Sequence, residues 1–226
     1  MTTPTNAPSA TPTPAVAAKK GPLLSAGARQ KLLAFASLVG LLIFFSLASP
    51  SFMQFDNMVG ILQSTAVNGV LAIACTFVII TSGIDLAVGT LMTFCAVMAG
   101  VVMVFWNLPF WIGVIAAIVC GALVGAINGT LIAKMKIPPF IATLGMMMLL
   151  KGLSLVVSGT KPIYFSDVPQ FTSISQDSFI GYLLPSLPIP NAVLILFMVA
   201  LLGTFILNKT VLGTYTFALG SNEEAV

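Results

Sequence analysis

The sequence predicts an all-α fold, a polytopic bundle of transmembrane helices with a cytoplasmic N-terminus, and three observations carry that expectation. The first is composition. Of the 226 residues, 58% are apolar and only 7% charged, whereas soluble domains carry about a quarter charged residues. A mean hydropathy of +1.08 leaves more apolar surface than a water-soluble fold can hide. The second is patterning. No charged side chain occurs from Leu32 to Phe55, from Asn57 to Ile84, from Leu86 to Ala133 or from Ser178 to Asn208. Each run exceeds the ~20 residues a helix needs to cross the hydrocarbon core, and the third is long enough for two crossings. Transmembrane strands would alternate apolar and polar residues, which these runs do not do. The third is the sorting of Lys and Arg to one side of the spans, described next.

Residues 1–30 are rich in Thr, Pro and Ala at their start and lack a long apolar stretch, so they read as a disordered cytoplasmic tail. Lys19, Lys20, Arg29 and Lys31 then precede an apolar stretch ending Ser46-Leu47-Ala48-Ser49, which mimics a signal peptide. Its length and the spans that follow favour an uncleaved first span. Residues 31–209 read as the transmembrane domain, with spans at about 32–49, 58–81, 87–106, 109–132, 138–158 and 191–208. With the N-terminus inside, the inner segments hold Lys19, Lys20, Arg29, Lys31, Lys134, Lys136 and Lys209, and the outer ones only Lys161, seven against one. The positive-inside rule requires that asymmetry. Residues 159–190, with five prolines, read as an external loop carrying a short helix. Residues 210–226 begin a cytoplasmic segment.

In the fourth span Gly113, Ala117, Gly121, Gly125 and Gly129 recur at every fourth position. That spacing aligns small residues on one face and predicts close helix packing, with Asn128 beside the stripe and able to bond a neighbouring helix. In the second span Gln63, Ser64, Thr65 and Asn68 interrupt an apolar helix, and Ser64 and Asn68 share a face. Such groups need protein or water as partners. Interhelical hydrogen bonding meets that need, and so does a neutral, weakly polar passage that binds its solute loosely enough to release it. Between spans two and three, Gly83 can take the backbone turn, and Asp85 stands where an N-cap would serve the third helix. At depth in the bilayer, Asp85 would instead imply function, since a carboxylate there costs at least ~2.5–3.5 kcal/mol. Lys151, inside the fifth span, either snorkels outward or faces the protein interior.

Composition also excludes classes of function. The chain has no histidine, which removes the commonest proton relay and metal ligand. Its three cysteines, Cys75, Cys95 and Cys120, all lie in apolar runs and suggest packing rather than a disulfide or metal framework. Few charges and a net charge of +3 imply no nucleic-acid partner. Intramembrane aspartyl proteolysis would need two carboxylates, and only Asp85 is near a span. No catalytic residue is expected. A transporter is the class that remains, either a secondary carrier or facilitator for a small neutral solute or a subunit driven by a partner.

Three stretches decide between these by resemblance. Ile80–Gly89, ITSGIDLAVG, resembles the signature of permease subunits of the ribose/xylose/galactose class of ABC importers, which includes autoinducer-2 uptake systems. Ala126–Gly145 is similar to the same family's span and following loop, and Thr210–Val226 resembles the approach to its cytoplasmic coupling helix. With ILQSTAVNG, the likeness runs from about Phe52 to the last residue. It implies a path for a monosaccharide or similar polyol, a second permease copy in a dimer, and an external sugar-binding protein. It also implies ATP-binding subunits in the cytoplasm, which would hold the ATP and Mg; no cofactor is expected on this chain, which has no GxxxxGK[ST] phosphate loop. In that family the segment matching Gly220, Ser221, Asn222, Glu223, Glu224 and Ala225 contacts the ATPase, and Thr214 departs from the basic residue often found there. The family continues with about four further spans, so six of an expected ten are present, and the chain is expected to be a membrane-inserted part rather than a working transporter.

Overall fold

The computed structural model describes residues 26–184 and 189–221. Among them are six helices long and apolar enough to cross a membrane: Arg29–Ala48, Phe55–Ile80, Val88–Phe105, Phe110–Ala133, Pro139–Ser158 and Asn191–Lys209. The chain divides into two units, Met1–Met53 and Gln54–Val226. In the first, α1 (Ala26–Ala48) begins inside the stretch read as tail. Arg29 and Lys31 are good helix formers, so the helix outruns the apolar core that a membrane requires. A turn follows, in which the Phe52 N–H donates to the Ser49 carbonyl at 3.0 Å and the Phe45 and Phe52 rings lie 5.7 Å apart.

The second unit is built on two helix groups. In one, α3 (Val88–Gly100) packs against α4 (Phe110–Ala133) and α5 (Pro139–Ser158). In the other, α2 (Phe55–Ile80) packs against α8 (Asn191–Lys209), and α9 (Val211–Ser221) folds back on both. The α2–α8 seam is set by small residues. A Cβ at Gly69 would meet the Leu196 side chain at 2.7 Å, and one at Gly203 would meet Ile73 at 3.1 Å. Helix α3 ends in a π-helical turn, Val101–Phe105, where the Trp106 N–H donates to the Val101 carbonyl at 3.0 Å. Val101, Val102 and Met103 in this turn are among the most buried residues.

Close packing explains only part of the α4 stripe. A Cβ at Gly113 would meet Met103 Cγ at 2.5 Å, and one at Gly121 the Cys95 sulfur at 3.5 Å. Ala117 between them is half-buried. At Gly125 and Gly129 no atom lies within 4 Å of an added Cβ, so the contact expected there is replaced by open space. Gly113→Ala is therefore expected to destabilise the unit by about 1–3 kcal/mol. Gly125→Ala should be neutral or stabilising by about 0.5–1 kcal/mol, because alanine loses less backbone entropy in a helix. Thermal denaturation of the two variants in one detergent checks the contrast.

Helix α5 begins at Pro139, whose missing N–H is not needed in a first turn. It ends at Gly159, in the left-handed region at φ 60. Its buried face carries Ala142, Met146, Leu150 and Ser154 at helical spacing, and the Ser154 hydroxyl donates to the Leu150 carbonyl at 2.7 Å. The next segment crosses α3, where a Cβ at Gly100 would meet Ile163 at 2.6 Å. Two short helices follow rather than one, α6 (Pro169–Gln176) and α7 (Phe179–Leu183). Side-chain caps allow the second. Ser178 Oγ accepts from the Gly181 N–H at 2.8 Å, and Asn191 Oδ1 accepts from the Phe179 N–H at 2.8 Å.

Candidate functional site

One end of the second unit gathers Lys134, Lys136 and Lys209 together with three chain reversals: Thr81–Ala87, Lys134–Pro138 and the α8–α9 corner. Helix α2 stops because Ser82 turns left-handed at φ 59, with the Ser82 N–H donating to the Ile79 carbonyl at 2.9 Å and the Gly83 N–H to that of Val78 at 3.0 Å. Gly83 lies in the turn, but Ser82 is its left-handed residue. Gly83 supplies room, since a Cβ there would lie 3.2 Å from the Val78 carbonyl oxygen.

Asp85 also stands differently from expectation. The N-cap of α3 is Ala87, and Asp85 lies two residues upstream. Its Oδ1 accepts from the Ala87 N–H at 2.8 Å, an Asx-type turn that orders the approach to the helix. Ala87 is only 1% exposed, so its amide has little access to water. Asp85→Ala is expected to cost about 1–3 kcal/mol by leaving that N–H unmet, whereas Asp85→Asn keeps an acceptor in place. Melting temperatures of the two variants in detergent test the difference. The segment is tied to α5 by Thr143, 2% exposed, whose hydroxyl lies 2.8 Å from the Pro139 carbonyl and 3.3 Å from that of Ile84.

The first two reversals border an open-sided cavity of about 810 Å³. Its walls are the Thr81–Asp85 segment, the C-terminal turns of α4, the Lys136–Pro139 turn, Thr143 of α5 and Leu219 of α9. Gly125 and Gly129 open onto it, which is where the α4 stripe leaves off packing. Asn128, one turn from Gly125 and next to Gly129, lines it and is 8% exposed. Its Oδ1 is buried and has no hydrogen-bond partner among the described residues.

Of the polar residues singled out in the sequence, Asp85 alone enters this cavity as a candidate path residue. Gln63, Ser64, Thr65 and Asn68 lie on α2 away from it, with Gln63 half-buried and the others exposed. Ala66, Ile73 and Phe77 mark the packed side of α2, and the 100° step of a helix puts Ser64 and Asn68 roughly opposite. Lys151 is exposed, beside but not on the buried face of α5. Gly220 sits so close to the Ile80 carbonyl that a Cβ would overlap it. The Ser82 hydroxyl donates to the Gly220 carbonyl at 3.3 Å. Ser221 is exposed at the end of α9, and Asn222, Glu223, Glu224 and Ala225 lie outside the described residues. Thr143 and Ser82 went unmarked in the sequence, since a lone hydroxyl in a loop or apolar helix carries no periodic signal. The two glycines flanking Asn128 were the available clue.

Residues 57–226 match the family described as branched-chain amino acid transport system / permease component. The ribose import permease of Escherichia coli K12 is 40% identical over 195 residues, covering 84% of this chain and 58% of that protein. The ribose import permease of Haemophilus influenzae is 38% identical over 194 residues, with the same coverage of 84% and 58%. The fructose import permease of Rhizobium meliloti is 34% identical over 187 residues, covering 83% of this chain and 52% of its own length. The chain thus spans less than two thirds of these relatives. No solved structure matches it.

Proposed function

The chain belongs to the family of permease components of branched-chain amino acid transport systems, and on that premise we propose that it forms the membrane path of an ABC importer for a monosaccharide or similar polyol. It is a multi-pass protein of the bacterial inner membrane. The observation that carries the sugar reading is the 34–40% identity to permeases named for ribose and fructose, across more than four fifths of the chain. The weakly polar, largely uncharged face of Ser64 and Asn68 supports it, because polar groups on a membrane helix require protein or water, not lipid, and a conducting surface must hold its solute loosely.

The N-terminus is cytoplasmic in this reading, which puts the basic end and its cavity on the cytoplasmic side. Helix α9 and the acidic residues after it face a separate ATP-binding subunit, which holds the ATP and Mg. An external sugar-binding protein delivers the solute at the opposite face, over α6 and α7, and a second permease copy completes the path. ATP-driven closure of the partner subunits then moves the spans between outward and inward access. The test is uptake of radiolabelled D-ribose, D-fructose and D-xylose by the assembled transporter in cells lacking their own sugar permeases, with co-purification in mild detergent. ATP-dependent uptake of one of these sugars, with an ATP-binding subunit in the purified complex, is expected. Uptake of leucine alone, or sugar uptake without any ATPase, refutes the proposal.

A further inference from the structure

We infer that the cavity at the basic end is a binding site for a neutral polyhydroxylated solute, with the Asn128 side-chain amide as its buried hydrogen-bonding group. The inference rests on the permease reading and adds to it a holding site that the polar residues of α2 do not form. Its starting point is an unmet need. Asn128 is 8% exposed and its Oδ1 has no partner among the described residues, whereas more than about nine in ten buried polar groups have one. A buried acceptor left alone is costly, so an occupant that offers a donor is favoured.

The wall hydroxyls do not offer that donor. Each hydroxyl has one proton, and the nearby ones are committed to backbone carbonyls. Thr81 donates to Val78 at 2.8 Å, Thr143 to Pro139 at 2.8 Å and Ser82 to Gly220 at 3.3 Å. Their oxygens keep lone pairs, and so does the Asp85 carboxylate beyond the one bond it accepts from Ala87 at 2.8 Å. The lining is therefore rich in acceptors, with Lys136 as the one cationic side chain among the lining residues. An O–H-rich solute matches such a lining, whereas a carboxylate would bring further acceptors to it. If the Asn128 amide is turned by half a rotation, the orphan becomes an N–H donor, and a hydroxyl, being donor and acceptor both, meets that case as well. Ile84, Ile132, Ile137, Pro138 and Leu219 supply apolar walls for the C–H faces of a ring. At about 810 Å³ the space lies within the range of small-molecule sites, about 300–1,000 Å³.

The experiment is thiol labelling of Gly129→Cys, where an added Cβ meets no atom within 4 Å, in the assembled transporter with Cys75, Cys95 and Cys120 replaced by serine. Inside-out vesicles are treated with a small membrane-impermeant methanethiosulfonate, with and without D-ribose. Labelling is expected, and its rate should fall about fivefold once ribose reaches about four times its Kd, with no protection by L-leucine. Adding Asn128→Ala to Gly129→Cys should keep the labelling and remove the protection by ribose, and Gly125→Cys, equally open, gives the same readout if Gly129→Cys does not fold. Absence of labelling at both positions overturns the inference, because a protein segment then fills the cavity. So does labelling that ribose does not slow, or that leucine slows instead. The permease reading fails separately, when the wild-type transporter takes up none of ribose, fructose and xylose. A transporter that carries ribose but leaves Gly129→Cys unprotected refutes this site alone.

Discussion

Reversing both charges at Glu223→Lys and Glu224→Lys is expected to abolish ATP-driven uptake by the assembled transporter while membrane insertion stays intact. Charge is scarce at this end of the chain. Helix α9, Val211–Ser221, has no charged residue, and the nearest cation before it is Lys209. Glu223 and Glu224 are the two carboxylates that follow it in sequence. Complementary charge steers docking and fixes register, and placing like charges against each other costs several kcal/mol. At 1.4 kcal/mol per factor of ten, the affinity for the ATP-binding subunit should drop by about two or more orders of magnitude. Insertion depends on the apolar spans upstream and on flanking Lys and Arg, to which Asp and Glu contribute little. Neutralisation, Glu223→Gln with Glu224→Gln, should give an intermediate loss, because it removes attraction without adding repulsion. Uptake rate and co-purified ATPase are the two measurements. Unchanged uptake in the charge-reversed transporter would refute the docking role.

The spans were legible because a bilayer imposes one coarse demand, an unbroken apolar length, and runs without charge declare it. Their ends fall within about three residues of those read from the sequence, but what stops each helix was not legible. Ser82 shows why. Its left-handed φ of 59 is uncommon for a serine, and adjacent Gly83 was the natural residue to nominate. The glycine is favoured instead by the nearness of the Val78 carbonyl, a local closeness that appears only once the turn at Ser82 is set. Gly113, Gly121, Gly125 and Gly129 look alike in sequence, yet Met103 and Cys95 cover the first two and a cavity opens at the others. The cavity itself was not legible at all. Its walls come from segments near residues 81, 132 and 219, and only the folded chain brings them together. Asp85 was readable as a helix-start acid, because local Asx turns depend on near neighbours. That it also faces a cavity depends on α4, α5 and α9.

The second large effect is expected at two glycines that were marked for different reasons or not at all. Gly220→Leu should suppress uptake by at least an order of magnitude, and Gly213→Leu should lower the melting temperature of the whole unit as well. At Gly220 an added Cβ would overlap the Ile80 carbonyl, and at Gly213 that of Leu207. Both obstacles are backbone, so no rotamer change relieves them. The end of α9 has to lift from the end of α2, or the corner between α8 and α9 has to open. Overpacking of this kind costs about 1–3 kcal/mol and occasionally more, and the helix propensity regained by replacing a glycine returns less than about 1 kcal/mol of it. The two sites differ in what they carry. Gly213 is buried at the corner, where displacement disturbs the α2–α8 group directly. Gly220 is at the far end, beside Ser82 and the cavity wall, so its displacement should leave the spans folded and break the connection from the coupling segment to the end of α2. Gly220→Leu is thus expected to keep near-normal melting and basal ATP hydrolysis in the assembled transporter while losing solute-stimulated hydrolysis. Full stimulation in that variant would mean that α9 does not transmit through its seat on Ile80, and the coupling route would have to run elsewhere.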